Sequence, residues 1–162
     1  MSVNKDRPHV LVLPEDDANR QLADNFHIHV DWNRLRQMQV LRPAGGWTNV
    51  LKLFESEHVV EMQRNPLRFM ILLFDLDGSV ERLKNAQAQI PEQLTGRVFV
   101  LGALTTPEAL RRTNLGSYED IGLAMANDCR EGSDKVWSHE LLRHNASELA
   151  RLRELVRPFL FV

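Results

Sequence analysis

Short apolar runs, each closed by proline, glycine or an acid, punctuate this chain at wide and fairly even spacing. Runs of this length, rich in Val, Ile, Leu and Phe, predict buried strands at residues 9–13, 37–41, 69–74 and 97–101. Between them the apolar spacing lengthens to that of a helix. The first helix is expected from Asp16 or Asp17 to about residue 26, with Asp17 as its N-cap and Leu22 and Phe26 one turn apart. Residues 26–30 (Phe-His-Ile-His-Val) alternate and read as a short extension or strand. A second helix spans about 48–64, with Val50, Leu51, Phe54, Val59 and Met62 as its buried stripe and Asn65-Pro66 as its stop. A third covers about 79–89, before Pro91. Helices follow at 107–112, 117–129 and 138–156. Thr106 precedes Pro107 as a cap, and Ser117 with Asp120 forms a capping box.

Strand and helix alternation predicts an α/β fold with a mainly parallel sheet of about four strands, flanked by helices joined in right-handed crossovers. Residues 1–162 read as one domain, with a core at about 9–105 and a helical C-terminal extension at about 106–162. In that extension Leu141, Leu142, Leu149, Leu152, Leu155 and Val156 are expected either to cover the sheet or to meet a second subunit.

Hydrophobic residues make up 43% of the 162, enough for a packed core. The formal charge of −2, from 20 basic and 22 acidic residues, excludes a global basic field. Contact with DNA or RNA would need a local patch, and a protein partner or homo-oligomer stays open. The single cysteine, Cys129, excludes an internal disulfide and a cysteine zinc site, and is expected as a small buried side chain. The run at 69–74 is too short to span a bilayer, and the first eight residues lack an apolar h-region. A cytoplasmic protein with no membrane association is the expectation.

The chemistry concentrates at two strand ends. Phe74-Asp75-Leu76-Asp77-Gly78 closes the third apolar run, and Glu15-Asp16-Asp17 follows the first. Strand alternation would put Asp75 and Asp77 on one side, with Leu76 packed away. If the two strands are neighbours, Glu15 joins them. Carboxylates held this close repel one another unless a hard cation such as Mg2+ or Mn2+ is shared among them.

These positions resemble the Toprim family, the domain shared by topoisomerases, bacterial primases and OLD-type nucleases. That family places a glutamate after its first strand, a glycine-containing turn after its second and Asp-x-Asp after its third. Here those positions read Leu13-Pro14-Glu15, Ala44-Gly45-Gly46 and Phe74-Asp75-Leu76-Asp77, within a resemblance covering about residues 10–102. It implies a Rossmannoid sandwich and Mg2+-dependent (or Mn2+-dependent) phosphodiester chemistry on nucleic acid, as in a small nuclease of DNA maintenance or antiphage defence. It implies Glu15 as metal ligand or acid/base, and Asp75 and Asp77 as metal ligands. The chain departs from the family pattern in having Asp16 where glycine usually follows the glutamate, and Asn19 where OLD-type members often carry a further acid. Asp16, Asn19, Gly45 and Gly46 are expected accessories, and Glu108 or Lys135 would stand for a distal charged residue. Tyr118, the sole tyrosine, cannot be matched to a topoisomerase tyrosine.

The same acids admit two other readings. Phe74-Asp75-Leu76-Asp77-Gly78 resembles the opening motif of haloacid-dehalogenase phosphatases, with Asp75 as nucleophile, Asp77 as general acid and Thr105 as a second-motif residue. That family's motif normally opens the domain, and Glu15 would have no role. The third reading is a non-catalytic Toprim-like binding or interaction module.

Lesser signals are weighed against plain structural roles. Gly45-Gly46 ahead of a helix suits either a phosphate or a tight turn. His27 with His29 lacks a third ligand and is expected to be solvated or packed, and His139 with His144, five apart on the tail helix, has the wrong spacing for a metal on one face. Trp32, Trp47 and Trp137 are expected as core or interface anchors. Arg111-Arg112, Arg143, Arg151 and Arg153 suit solvated helix faces, with phosphate contact as the alternative.

Overall fold

The computed structural model describes residues 2–162. Four parallel strands form one sheet: β1 (His9–Pro14), β2 (Met38–Val40), β3 (Arg68–Leu73) and β4 (Val98–Leu101), in the order β2-β1-β3-β4. All six residues of β1 are buried, as expected of a strand with neighbours on both edges and layers on both faces. β1 pairs along its whole length with β3, from His9 opposite Arg68 to Pro14 opposite Leu73. The chain leaves β1 toward β2, then crosses back over β1 to reach β3. The topological switch of this Rossmann-like α/β fold therefore lies between the carboxyl ends of β1 and β3.

Alternate side chains of the strands feed two cores. Leu11, Leu13, Met70, Leu72, Val98 and Val100 point to one face. There they meet α2 (Trp47–Leu53), α3 (Val59–Arg64) and α4 (Val80–Ala88). α2 and α3 run on through a π-helical turn at Phe54–His58, so the expected second helix is essentially continuous. Val50, Leu51, Phe54 and Met62 are its buried stripe, with Val59 partly buried beside them. Val10, Val12, Phe99 and Leu101 point to the other face. Over them lie α1 (Asp17–His27), α6 (Tyr118–Glu131), α7 (Ala146–Leu155) and α8 (Arg157–Leu160), while the short α5 (Pro107–Arg111) packs against α1. The C-terminal helices thus form the second layer of the sandwich: Leu149, Leu152 and Val156 cover the sheet, and Leu155 faces outward.

Several expectations need correction. Residues 26–30 are the end of α1 and a turn, because His27 Nε2 is held by the Leu35 carbonyl at 2.8 Å and the chain folds back there. The tail is not one helix from 138 to 156. Asn145, fully buried, receives the Gly102 N–H on its Oδ1 (3.2 Å) and donates to the carbonyls of Gly102 (3.0 Å) and Leu142 (2.9 Å). These bonds fasten the tail to the end of β4 and restart the helix at Ala146. Trp32 is no core anchor, being 85% exposed, whereas Trp47 packs against Phe74. Cys129 is buried, and burial pushes its thiol up to about 11. Among the described residues no helix is long and apolar enough to cross a membrane.

Gly102 is where β4 ends against the chain leading to Asp75. A Cβ placed there would lie 1.8 Å from the Phe74 carbonyl oxygen, a clash with backbone. We expect Gly102→Ala to cost at least about 2 kcal/mol. A urea midpoint unchanged from wild type would contradict that close approach.

Candidate metal centre

Glu15 is fixed by backbone before its side chain does anything. Its N–H donates to the Leu73 carbonyl (2.8 Å), extending the β1–β3 ladder by one step. Its own carbonyl accepts the N–H groups of Gly45 (2.9 Å) and Gly46 (3.2 Å). Both glycines have positive φ, 86° and 125°, which permits this turn. Their N–H groups are therefore committed to Glu15. The glycine pair acts as a clasp on the β1 end, the tight-turn reading of these residues rather than the phosphate-facing one. The Glu15 side chain then crosses to the neighbouring strand end, where Oε2 accepts the Asp75 N–H at 2.7 Å.

Asp16, rather than Asp17, caps α1. Its backbone is extended (φ −146°), and Oδ1 accepts the Asn19 N–H at 3.0 Å. Asn19, one turn into the helix and 1% exposed, turns its amide back toward the sheet. Its Nδ2 donates to Asp16 Oδ1 (2.9 Å) and to Asp75 Oδ1 (3.0 Å), joining carboxylates from two strand ends. Asp17 stays outside the cluster, paired with Arg20 and Gln21.

Asp75 follows β3 and is 7% exposed. Carboxylate oxygens of Glu15, Asp16 and Asp75 lie within 4.8 Å of one another. Burial pushes the Asp75 carboxyl up to about 7; the charges of Glu15, Asp16 and Glu108 add to this, against the Asn19 hydrogen bond. Burial likewise raises Glu15, with Asp16 and Asp77 adding to it, against the hydrogen bond from the Asp75 N–H. Crowded, desolvated carboxylates of this kind are electrostatically unsatisfied. Three hard oxygen donors around one point fit a divalent cation, and this cluster could hold one.

Asp77 stands apart from that group. The strand stops at Leu73, so period-two alternation does not reach residues 75–77. Instead Leu76 N–H donates to the Ala103 carbonyl (3.1 Å), Gly78 N–H donates to the Leu104 carbonyl (2.6 Å), and Asp77 adopts φ +48°. Its side chain is 61% exposed and meets Arg82 Nη1 at 3.2 Å. The same Arg82 atom donates to the Asp75 carbonyl at 2.9 Å, bracing the loop. Arg82 was not singled out from the sequence; its one signal is its place in the first turn after Asp-x-Asp-Gly. Glu108, on α5, is exposed and reaches the cluster through its charge alone. Lys135 pairs with Glu131 at 3.8 Å in the loop after α6.

Compared with protein-family models, with curated proteins and with solved structures, the chain matches none.

Proposed function

We propose that this protein is a divalent-metal-dependent phosphodiesterase acting on nucleic acid, a small nuclease of Toprim type, with Mg2+ or Mn2+ held by Glu15, Asp75 and Asp16. The observation that carries the reading is the meeting of Glu15 and Asp75 at the switch point between β1 and β3. A cation held there would neutralise phosphodiester charge and lower the pKa of a bound water. Asn19 keeps Asp16 and Asp75 together. Glu15, with one oxygen anchored on the Asp75 amide, is placed either to hold the cation or to move a proton at its other oxygen. Asp77 serves at the rim and joins the ligand set only if Arg82 releases it.

The test incubates labelled single- and double-stranded DNA and RNA with the protein and Mg2+ or Mn2+. Glu15→Gln and Asp75→Asn should each lower cleavage by more than about 100-fold, because first ligands matter at least as much as the groups that orient them. Wild-type protein without cleavage of any of these substrates would refute the nuclease reading. Hydrolysis of small phosphate esters that survives Glu15→Gln but not Asp75→Asn would favour the phosphatase alternative. Absence of cation binding would favour the non-catalytic module.

The geometry also orders the acids. Mn2+ affinity should fall by more than about tenfold in Asp75→Asn and in Glu15→Gln, and by less than about threefold in Asp77→Asn. Calorimetric titration reads this order directly, and an Asp77→Asn loss equal to that of Asp75→Asn would contradict it.

A further inference from the structure

Two arginines lie over aromatic rings on opposite faces of the sheet, near its carboxyl rim. Arg82 Cζ is 4.5 Å from the Trp47 ring centroid on the face of α2 and α4. Arg111 Cζ is 4.8 Å from the Tyr118 ring centroid on the face of α5 and α6. Arg82 is committed to the Asp75 carbonyl and Asp77. Arg111 is not committed: among the described residues it has no hydrogen-bond or carboxylate partner, although Glu108 lies three positions earlier on the same helix. A guanidinium held over an aromatic ring without a carboxylate partner keeps N–H groups for a phosphate.

The backbone brings Arg111 toward the cluster. α5 follows directly from the end of β4, and Ala103 and Leu104 are paired to the Asp75–Gly78 loop. α5 and α6 both pack on α1, whose first turn carries Asn19. Ser117 caps α6, and Tyr118 is buried at its first position. Burial above all, and then the negative charge of Glu108, raises the Tyr118 phenol; Arg111 opposes this, and Asp16 and Asp75 add to it. The charges of Asp16 and Asp75 thus reach the Tyr118 phenol.

We propose that Arg111, held over the Tyr118 ring, binds a backbone phosphate of the nucleic-acid strand beside the phosphodiester at the carboxylate cluster. Arg111 is the contact and Tyr118 the positioning residue. This rests on the nuclease reading and adds the side on which the strand leaves the site, across α5 and α6. It also separates a polynucleotide from a mononucleotide, which has no neighbouring phosphate to offer.

Fluorescence anisotropy tests this with fluorescein-labelled DNA of about 20 nucleotides, single- and double-stranded, and the matching RNA, in Ca2+, at about 50 and 200 mM salt. Arg111→Ala should weaken binding of the preferred strand by roughly fivefold or more and reduce the salt slope by about 0.7 to 0.9. Its Mn2+ affinity should stay within about twofold of wild type. Tyr118→Phe keeps the ring and should bind as wild type, whereas Tyr118→Leu should lose part of the affinity. Unchanged affinity and slope in Arg111→Ala, beside a wild type that binds, would overturn the Arg111 contact alone. A wild type that binds Mn2+ but none of the strands would overturn it together with the nucleic-acid reading.

Discussion

Replacing Asp75 with asparagine should make the metal-free protein more stable at pH 8 and nearly blind to Mg2+ and Mn2+. The sign follows from the proton. The carboxyl titrates at about 7 in the fold, against an ordinary 3.8, so the native state holds a proton that the unfolded chain has already released. Stability from this group is full below about pH 3.8 and is lost as pH rises through about 7. The interval corresponds to an upper limit of about 4 kcal/mol, which Asp75→Asn should recover in part. Asparagine also keeps an oxygen for Asn19 and offers N–H groups to Glu15 and Asp16. Wild type should gain about 2.7 kcal/mol from a cation at one hundred times its Kd, and the variant almost nothing. Thermal melts at pH 5 and 8, with Mg2+ and with EDTA, read both effects. A variant less stable than wild type at pH 8 in EDTA would show that the carboxylates are not in conflict.

Asn19→Asp should have the largest opposite effect. The substitution puts a further carboxylate at a site 1% exposed and removes the amide that donates to Asp16 and Asp75. Without a cation at pH 8 the expected loss is on the order of 3–5 kcal/mol, the scale of an uncompensated buried charge. Acidification below about pH 4 should restore much of it, because the added group can then hold a proton. Mn2+ should also restore it, since the new oxygen becomes a donor. A melt in which Asn19→Asp matches wild type in EDTA at pH 8 would remove Asn19 from its bridging place.

The sheet could be read from sequence because its signal is local. Apolar runs bounded by Pro14, Asp75 and Gly102 mark strand ends to within a residue or two, and Thr106 and Ser117 cap helices as their side chains require. The meeting of Glu15 and Asp75 was legible through topology, since alternating strands and helices make β1 and β3 natural neighbours. The composition of the cluster was not. Whether Asp16 or Asp77 joins Glu15 and Asp75 depends on the path of residues 75–78, and that path is set by the carbonyls of Ala103 and Leu104 far along the chain. The destination of the Gly45 and Gly46 amides was hidden for the same reason. Asn19, expected only as an accessory, bridges two strand ends because Asp16, rather than the anticipated Asp17, caps the helix.

The proposed function requires a cation held jointly by Glu15, Asp16 and Asp75. Crystals grown at pH 8 and soaked in Mn2+ give the most direct test, through an anomalous-difference map. We expect a peak between the ends of β1 and β3, within coordinating distance of oxygens from Glu15 and Asp75, and absent from Asp75→Asn crystals. A fully soaked crystal with no peak there, or a peak held by Asp77 without Glu15, would contradict it.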